Sequence, residues 1–203
     1  MSSRFHDLTF TPTVRALQTR DGSRAGYERA SEGPVRDAVL TPREADFLAA
    51  RDSFYLASSS ETGWPYIQHR GGPPGFVHAL DDTSLGFADF AGNRQFITAG
   101  NVEADDRVAL IFVDYAARRR LKLLGHLEML DPDAHPDLAE RLAVPGERAR
   151  VERLARVRIV AFDWNCPQHI TPRYTRDEVL AAVAPFQARI AELEEALATA
   201  RRT

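Results

Sequence analysis

Residues 85–114 read LGFADFAGNRQFITAGNVEADDRVALIFVD, and this stretch decides the fold. Leu85 to Phe90 reads as a strand, Gly92-Asn93 follows it, and Arg94 to Val102 has helical character. Arg107 to Asp114 is then a strongly apolar strand. Upstream, Asp52 to Ser59 alternates with period two, Glu61-Thr62-Gly63 supplies a turn, and Trp64 to Arg70 reads as the return strand. The run Gly71-Gly72-Pro73-Pro74-Gly75 interrupts pairing before a third strand, Phe76 to Leu80, and a turn at Asp81-Asp82-Thr83. Downstream, Arg119 to Leu130 is a long alternating strand. Residues 132–156 carry helical patterning through Leu138, Leu142, Val151 and Leu154, and Val157 to Phe162 forms the last strand. A loop with Pro167 and Pro172 follows from Asp163 to Tyr174. Six or seven strands on short turns, with one helix inserted after the fourth, predict a mainly β protein with an antiparallel barrel and flanking helices.

Both ends differ from this core. Residues 1–40 are polar and Arg-rich and read as an N-terminal arm, with one helix near Pro12 to Thr19, that packs on a barrel or a partner. Thr41-Pro42-Arg43-Glu44 has the order of a helix start, with Phe47 and Leu48 as the buried positions. The expected barrel domain spans 41–174, and 175–203 forms a long C-terminal helix. In that helix Val179, Val183, Phe186, Ile190, Leu193, Leu197 and Ala200 follow heptad spacing, which suits packing on the barrel or a coiled coil.

Composition excludes several classes. The net charge of −3 leaves no basic excess for a nucleic-acid partner. A single cysteine, Cys166, allows no internal disulfide and no cysteine metal cage, and the six histidines lack zinc spacing. No apolar run has the length of a signal peptide or membrane span, so a cytoplasmic protein away from membranes is expected. Neither a glycine-rich phosphate loop nor a nucleophile elbow is present.

Four segments hold side chains that suit a ligand. Gln68-His69-Arg70 ends a strand just before glycines that permit close approach; an exposed edge strand is the plainer account. Gly92-Asn93-Arg94-Gln95 stands where a helix N-terminus and an arginine could hold an anion, or where Asn93 simply caps the helix. Arg118-Arg119-Arg120 with Lys122 opens a strand, either as a solvated end or as a clamp on a polyanion. Asp163 to His169 gathers Trp164, amides, Cys166 and His169 in a proline-containing loop.

In order along the chain, RDSFYLASSSETGWPYIQHRGGPPGF (51–76), the 85–114 stretch, RRRLKLLGHLEML (118–130) and FDWNCPQHITPRY (162–174) resemble the pyridoxamine 5′-phosphate oxidase-like, FMN-binding split-barrel family. The resemblance implies a split barrel and a homodimer with FMN at the subunit interface. It also implies FMN contacts at Gln68, His69 and Arg70, at Ala88, Asp89 and Phe90, and at a phosphate segment of Asn93, Arg94 and Gln95. Gln95 stands where the family carries a positive charge, so Arg94 and Arg70 would bear most of the phosphate. Arg120 aligns with a family glutamine that approaches the isoalloxazine from the partner subunit, and a cation there would favour the anionic reduced flavin. Trp164 matches the late-loop tryptophan of the family. The oxidase proper holds its pyridoxal substrate with an Arg-x-His pair near its end; this chain has Gln168-His169-Ile170-Thr171-Pro172-Arg173 and continues to residue 203. The expected function is therefore an FMN-dependent oxidoreductase acting on a small organic or flavin-like molecule rather than the vitamin B6 oxidase. The alternatives are an F420-dependent reductase of the same fold, and a flavin- or haem-binding module that stores or senses without turnover. No catalytic side chain and no metal ligand is singled out.

Overall fold

In the computed structural model, residues 3–30, 35, 37–146, 150–165 and 167–202 are described. Two compact units make up the chain: Met1–Asp114 with Arg119–Cys166, and Tyr115–Arg118 with Pro167–Thr203. The first holds seven strands: β1 (Ser53–Ser59), β2 (Pro65–Gly71), β3 (Val77–Ala79), β4 (Ser84–Phe90), β5 (Arg107–Asp114), β6 (Arg119–Leu130) and β7 (Val151–Asn165). They form one antiparallel sheet in the order β2-β1-β5-β6-β7-β4-β3. The sheet curls into a split barrel, the mainly β fold with flanking helices and a long C-terminal helix that the sequence pattern predicts.

Alternation explains which face turns inward. Phe54 and Leu56 of β1, Leu110 and Phe112 of β5, and Leu121 and Leu123 of β6 are all buried, while their sequence neighbours are more exposed. Phe54 is the hub: it stacks on Phe112 and Phe76 and meets the edge of Phe87 from β4. Each such aromatic contributes about 1.5–3 kcal/mol by its burial. Gly125 permits the tight β6–β7 crossing, because a Cβ there would lie 2.6 Å from the Arg158 carbonyl oxygen. The pairing slips by one residue at that point, between Leu124 and Gly125.

Helix α4 (Pro42–Ala49) closes one side of the core. Its start is the one its sequence dictates, with Pro42 in the first turn and the Glu44 carboxylate accepting from the N–H of Thr41 at 3.1 Å and from the Thr41 hydroxyl. Phe47 and Leu48 are buried as expected. Helix α5 (Ile97–Ala104) follows β4, and the Asn101 amide donates to Ser58 of β1 at 2.9 Å in a buried contact.

Three expectations need correction. The helix after β4 begins at Ile97 rather than Arg94, because Arg94 and Phe96 both adopt left-handed backbone (φ 59° and 53°) that no helix can contain. Among the described residues of 132–156 the helical part is the short α6 (Pro136–Arg141), and β7 already starts at Val151. β7 also runs on to Asn165, so Trp164 sits on a strand and not in a loop.

The N-terminal region folds into α1 (Arg4–Thr9), α2 (Pro12–Asp21) and α3 (Arg24–Ala30), where one helix near Pro12 is expected. α1 packs on β7, with Phe5 buried. The Asp37 carboxylate holds this helix start by accepting from the Ser3 hydroxyl and from the N–H groups of Arg4 and Phe5 at 2.8–2.9 Å.

In the second unit α7 (Arg176–Ala200) opens at an N-cap, Thr175, whose hydroxyl accepts from the Glu178 N–H at 3.2 Å. Pro185 lies inside it, and none of its residues is buried. Among the described residues, no helix is long and apolar enough to cross a membrane.

Candidate functional site

β2 is an edge strand and β4 lies near the opposite edge, so nothing in the ladder joins them. Their side chains join them instead. Arg70 of β2 lies opposite Phe54 and so faces inward, while Asp89 of β4 is one pleat beyond the inward-facing Phe87. The two form an ion pair across the open seam of the curled sheet. Arg153 of β7, directly opposite Asp89 in register, completes a triad: its Nε donates to Asp89 Oδ2 at 2.9 Å. Asp89 is only 4% exposed. A buried carboxylate is costly unless charge and hydrogen bonds compensate it, and two guanidinium groups do so here.

Beside this triad lies a pocket of about 220 Å³ between β2, β4, β7 and α5. Tyr66, Gln68 and Arg70 line it from β2, and Asp89 and Phe90 from β4. Asn93, Arg94, Gln95 and Phe96 come from the connecting loop, Ile97 to Ala99 from the first turn of α5, and Glu152 and Arg153 from β7. Asn93 does not cap the helix: its Oδ1 accepts from the Gln95 N–H at 3.1 Å in a local turn. Phe96 occupies the N-cap and offers no side-chain acceptor, so the first-turn N–H groups of α5 lack a cap. The ring of Phe96 lies 5.0 Å from the Arg153 guanidinium.

Three observations mark the pocket as more than a surface dent. Arg70 Nε and Thr98 Oγ1 are buried without a hydrogen-bond partner among the described residues, and both residues line it. Two left-handed non-glycine residues, Arg94 and Phe96, cost about 1–3 kcal/mol each and persist only where surrounding structure imposes them. Arg94 itself is exposed and has no ion pair among the described residues. Three arginines against Asp89 and Glu152 leave one net positive charge at an uncapped helix start. That is the chemistry of an anion site, and of phosphate in particular.

Of the residues singled out from the sequence, Gln68, Arg70, Asp89, Phe90, Asn93, Arg94 and Gln95 meet at this pocket. The others lie elsewhere. His69 points to the outer face of β2, where its ring meets Tyr55 edge-on at 5.4 Å. Ala88 is buried on the opposite face of β4 from Asp89 and pairs with Leu154. Arg120 is on the outer face of β6, opposite Val113, and its buried Nε has no partner among the described residues. Trp164 belongs to the α4 joint: its Nε1 donates to Glu44 at 2.7 Å and its ring meets Phe47 edge-on at 4.7 Å. Burial raises the Glu44 carboxyl, but the hydrogen bonds from Thr41 and Trp164 outweigh it and hold the pKa below the ordinary value of 4.5. Cys166 lies outside the described residues.

Residues 40–162 match the family model described as pyridoxamine 5′-phosphate oxidase, which is more than half of the chain. The chain belongs to this family. No curated protein matches it significantly. Among solved structures, an FMN-binding protein from Syntrophomonas wolfei is similar at 12% identity, covering 73% of this chain and 97% of its own, with a TM-score of 0.45. An F420 reductase is similar at 23% identity, covering 61% and 98%, with a TM-score of 0.43. A Clostridium acetobutylicum protein related to general stress protein 26 of B. subtilis, of the pyridoxinephosphate oxidase family, shares 15% identity over 68% and 94%, with a TM-score of 0.44.

In this member of the pyridoxamine 5′-phosphate oxidase family, sequence reasoning passed over Tyr66, Thr98, Glu152 and Arg153. Arg153 was open to discovery. Arg153, Ala155 and Val157 alternate as an inward-facing strand row, and a charged residue in such a row needs a buried partner.

Proposed function

We propose that this chain binds FMN, with the phosphate end in the pocket between β2, β4 and α5, and works as an FMN-dependent oxidoreductase. The observation that carries the reading is the joint presence of Arg94, the Arg70–Asp89–Arg153 triad and the unpartnered Thr98 hydroxyl at a helix start, in a member of this family. The residues fit a phosphate: among the described residues Arg94 has no ion-pair partner, and Thr98 Oγ1 and Arg70 Nε are donors without a hydrogen-bond partner. Asp89 holds Arg70 and Arg153 in place before any anion arrives, so little ordering is left for binding to impose.

A bound flavin supplies hydride chemistry at its N5 position, and the protein contributes position and electrostatics. The chain's own part is to orient the cofactor from its phosphate end. Small-molecule sites occupy about 300–1,000 Å³, and 220 Å³ is short of that, so the ring system would extend beyond the pocket. A homodimer with the flavin between subunits accounts for this. It also gives a use to Arg120, whose place on the outer face of β6 turns it away from its own chain's pocket, and to the exposed Tyr55 and Ile67 on the same outer surface of the sheet.

A pocket of this size suits a single phosphate, which favours FMN over the longer anionic tail of F420. The visible absorption spectrum of the purified protein, with mass analysis of the released ligand, tests the proposal. Flavin bands and a released mass of FMN support it; a colourless protein that cannot be reconstituted with FMN overturns it. Reduction of the bound flavin by NAD(P)H or turnover with oxygen separates an oxidoreductase from a storage or sensing module.

A further inference from the structure

Helix α7 is unusual for how little of it is covered. It runs for 25 residues, none of them buried, with Pro185 in its interior. A proline removes one backbone hydrogen bond, and the segment that remains after it, Phe186 to Ala200, is of a length that is marginal for a helix alone in water. Such a helix needs a partner surface.

Its residues say what that surface is. Val183, Ile190 and Leu197 occupy a positions of a heptad, and Val179, Phe186, Leu193 and Ala200 occupy d. Every one of the large residues in this stripe is exposed. Pro185 falls at c, directed away from the stripe, so its ring does not obstruct a seam. β-Branched residues at a with leucine at d favour two parallel strands, as Val183, Ile190 and Leu193 do here.

The flanks bear on orientation through Arg189, which in the single chain pairs with Glu192 of its own helix at 2.8 Å. In a parallel pair, a g residue faces the e residue of the next heptad on the partner. Arg189 is at g and Glu194 is the e residue five positions on, so a parallel pair of identical helices brings Arg189 against Glu194 twice, once on each side. In an antiparallel pair g faces g and e faces e, and this complementarity is lost. The other g positions, Ala182 and Ala196, are small and uncharged.

We propose that α7 pairs with α7 of a second copy of this chain as a parallel two-stranded coiled coil. The pairing stands apart from the flavin reading and requires no contact between barrels. It would place the two C-terminal segments on a common two-fold axis, as a cyclic dimer requires.

The test uses the full chain and cysteine cross-linking. In a parallel pair two Leu193 side chains oppose one another within disulfide reach. Leu193→Cys under mild oxidation should give covalent dimer at least about tenfold faster than Ala191→Cys on the outward face or the unsubstituted chain, since pairing raises the effective thiol concentration. A Leu193→Cys rate no higher than that of Ala191→Cys overturns the pairing. In a mixture of Ile190→Cys and Leu193→Cys chains, preferential 190–193 cross-links would overturn the parallel orientation.

Discussion

Two buried carboxylates, Asp89 and Glu44, sit in different parts of the barrel unit and are satisfied in opposite ways. Glu44, 3% exposed, accepts from the Thr41 backbone and hydroxyl and from the Trp164 indole, donors that carry no charge. Around it the joint is filled: Trp164 packs on Phe47, and Arg43 lies over Trp164 at 4.5 Å. Asp89 is held by two arginines beside a pocket with unpartnered polar atoms and left-handed backbone. The Glu44 joint is finished without a ligand. The Asp89 site carries cations, donors and strain that its own protein groups leave partly unused, which is the mark of a region kept for binding.

The comparison breaks most readily at Asp89. Asp89→Asn should cost up to about 3 kcal/mol, because it leaves the half-buried Arg70 and Arg153 without their counter-charge. Urea unfolding measures the loss, and saturating FMN or inorganic phosphate should recover part of it by supplying negative charge. A loss equal to that of a surface substitution would remove the triad from the account.

Arg94→Ala should leave unfolding unchanged within about 0.5 kcal/mol, since its side chain is exposed. FMN affinity should nevertheless fall by about 1.5–3 kcal/mol, the worth of a charge-assisted hydrogen bond. Glu44→Gln should act in reverse, costing about 1–3 kcal/mol of stability with FMN affinity preserved.

Glu44 also sets a pH dependence. Its folded pKa lies below 4.5, so its contribution is complete above the unfolded value and is lost as pH falls from about 4.5 through the folded pKa. Acid unfolding followed by circular dichroism should be less steep in that window for Glu44→Gln. The smallest expected effect is a gain. Arg94→Gly relieves left-handed strain and should raise stability by up to about 1 kcal/mol while weakening FMN as Arg94→Ala does.

Legibility in the sequence followed the same division. Where a strand has one apolar face, as β1, β5 and β6 do, alternation shows both its existence and its inward residues. The helix start at Thr41 was equally plain, because capping chemistry is local. β7 was obscured at its beginning because Arg153 takes an inward position that an apolar residue would otherwise hold, and Leu138, Leu142, Val151 and Leu154 mimic helical spacing. The left-handed turns at Arg94 and Phe96 left no trace either: neither residue is of a type that favours φ > 0, and tertiary contacts impose the conformation. Arg70 and Arg94 stood out as polar residues beside glycines, whereas Asp89 came from family resemblance. Their convergence across the seam is a property of the curl that no local pattern contains.

The most direct test of the central claim is a flavin-fluorescence titration of the apoprotein with FMN, run in parallel on the unsubstituted chain and Arg94→Ala. The account predicts saturable binding of one FMN per chain by the unsubstituted protein and an affinity about 10- to 150-fold weaker for Arg94→Ala at unchanged stability. Equal FMN affinity in the two proteins, or no binding by either, would contradict it.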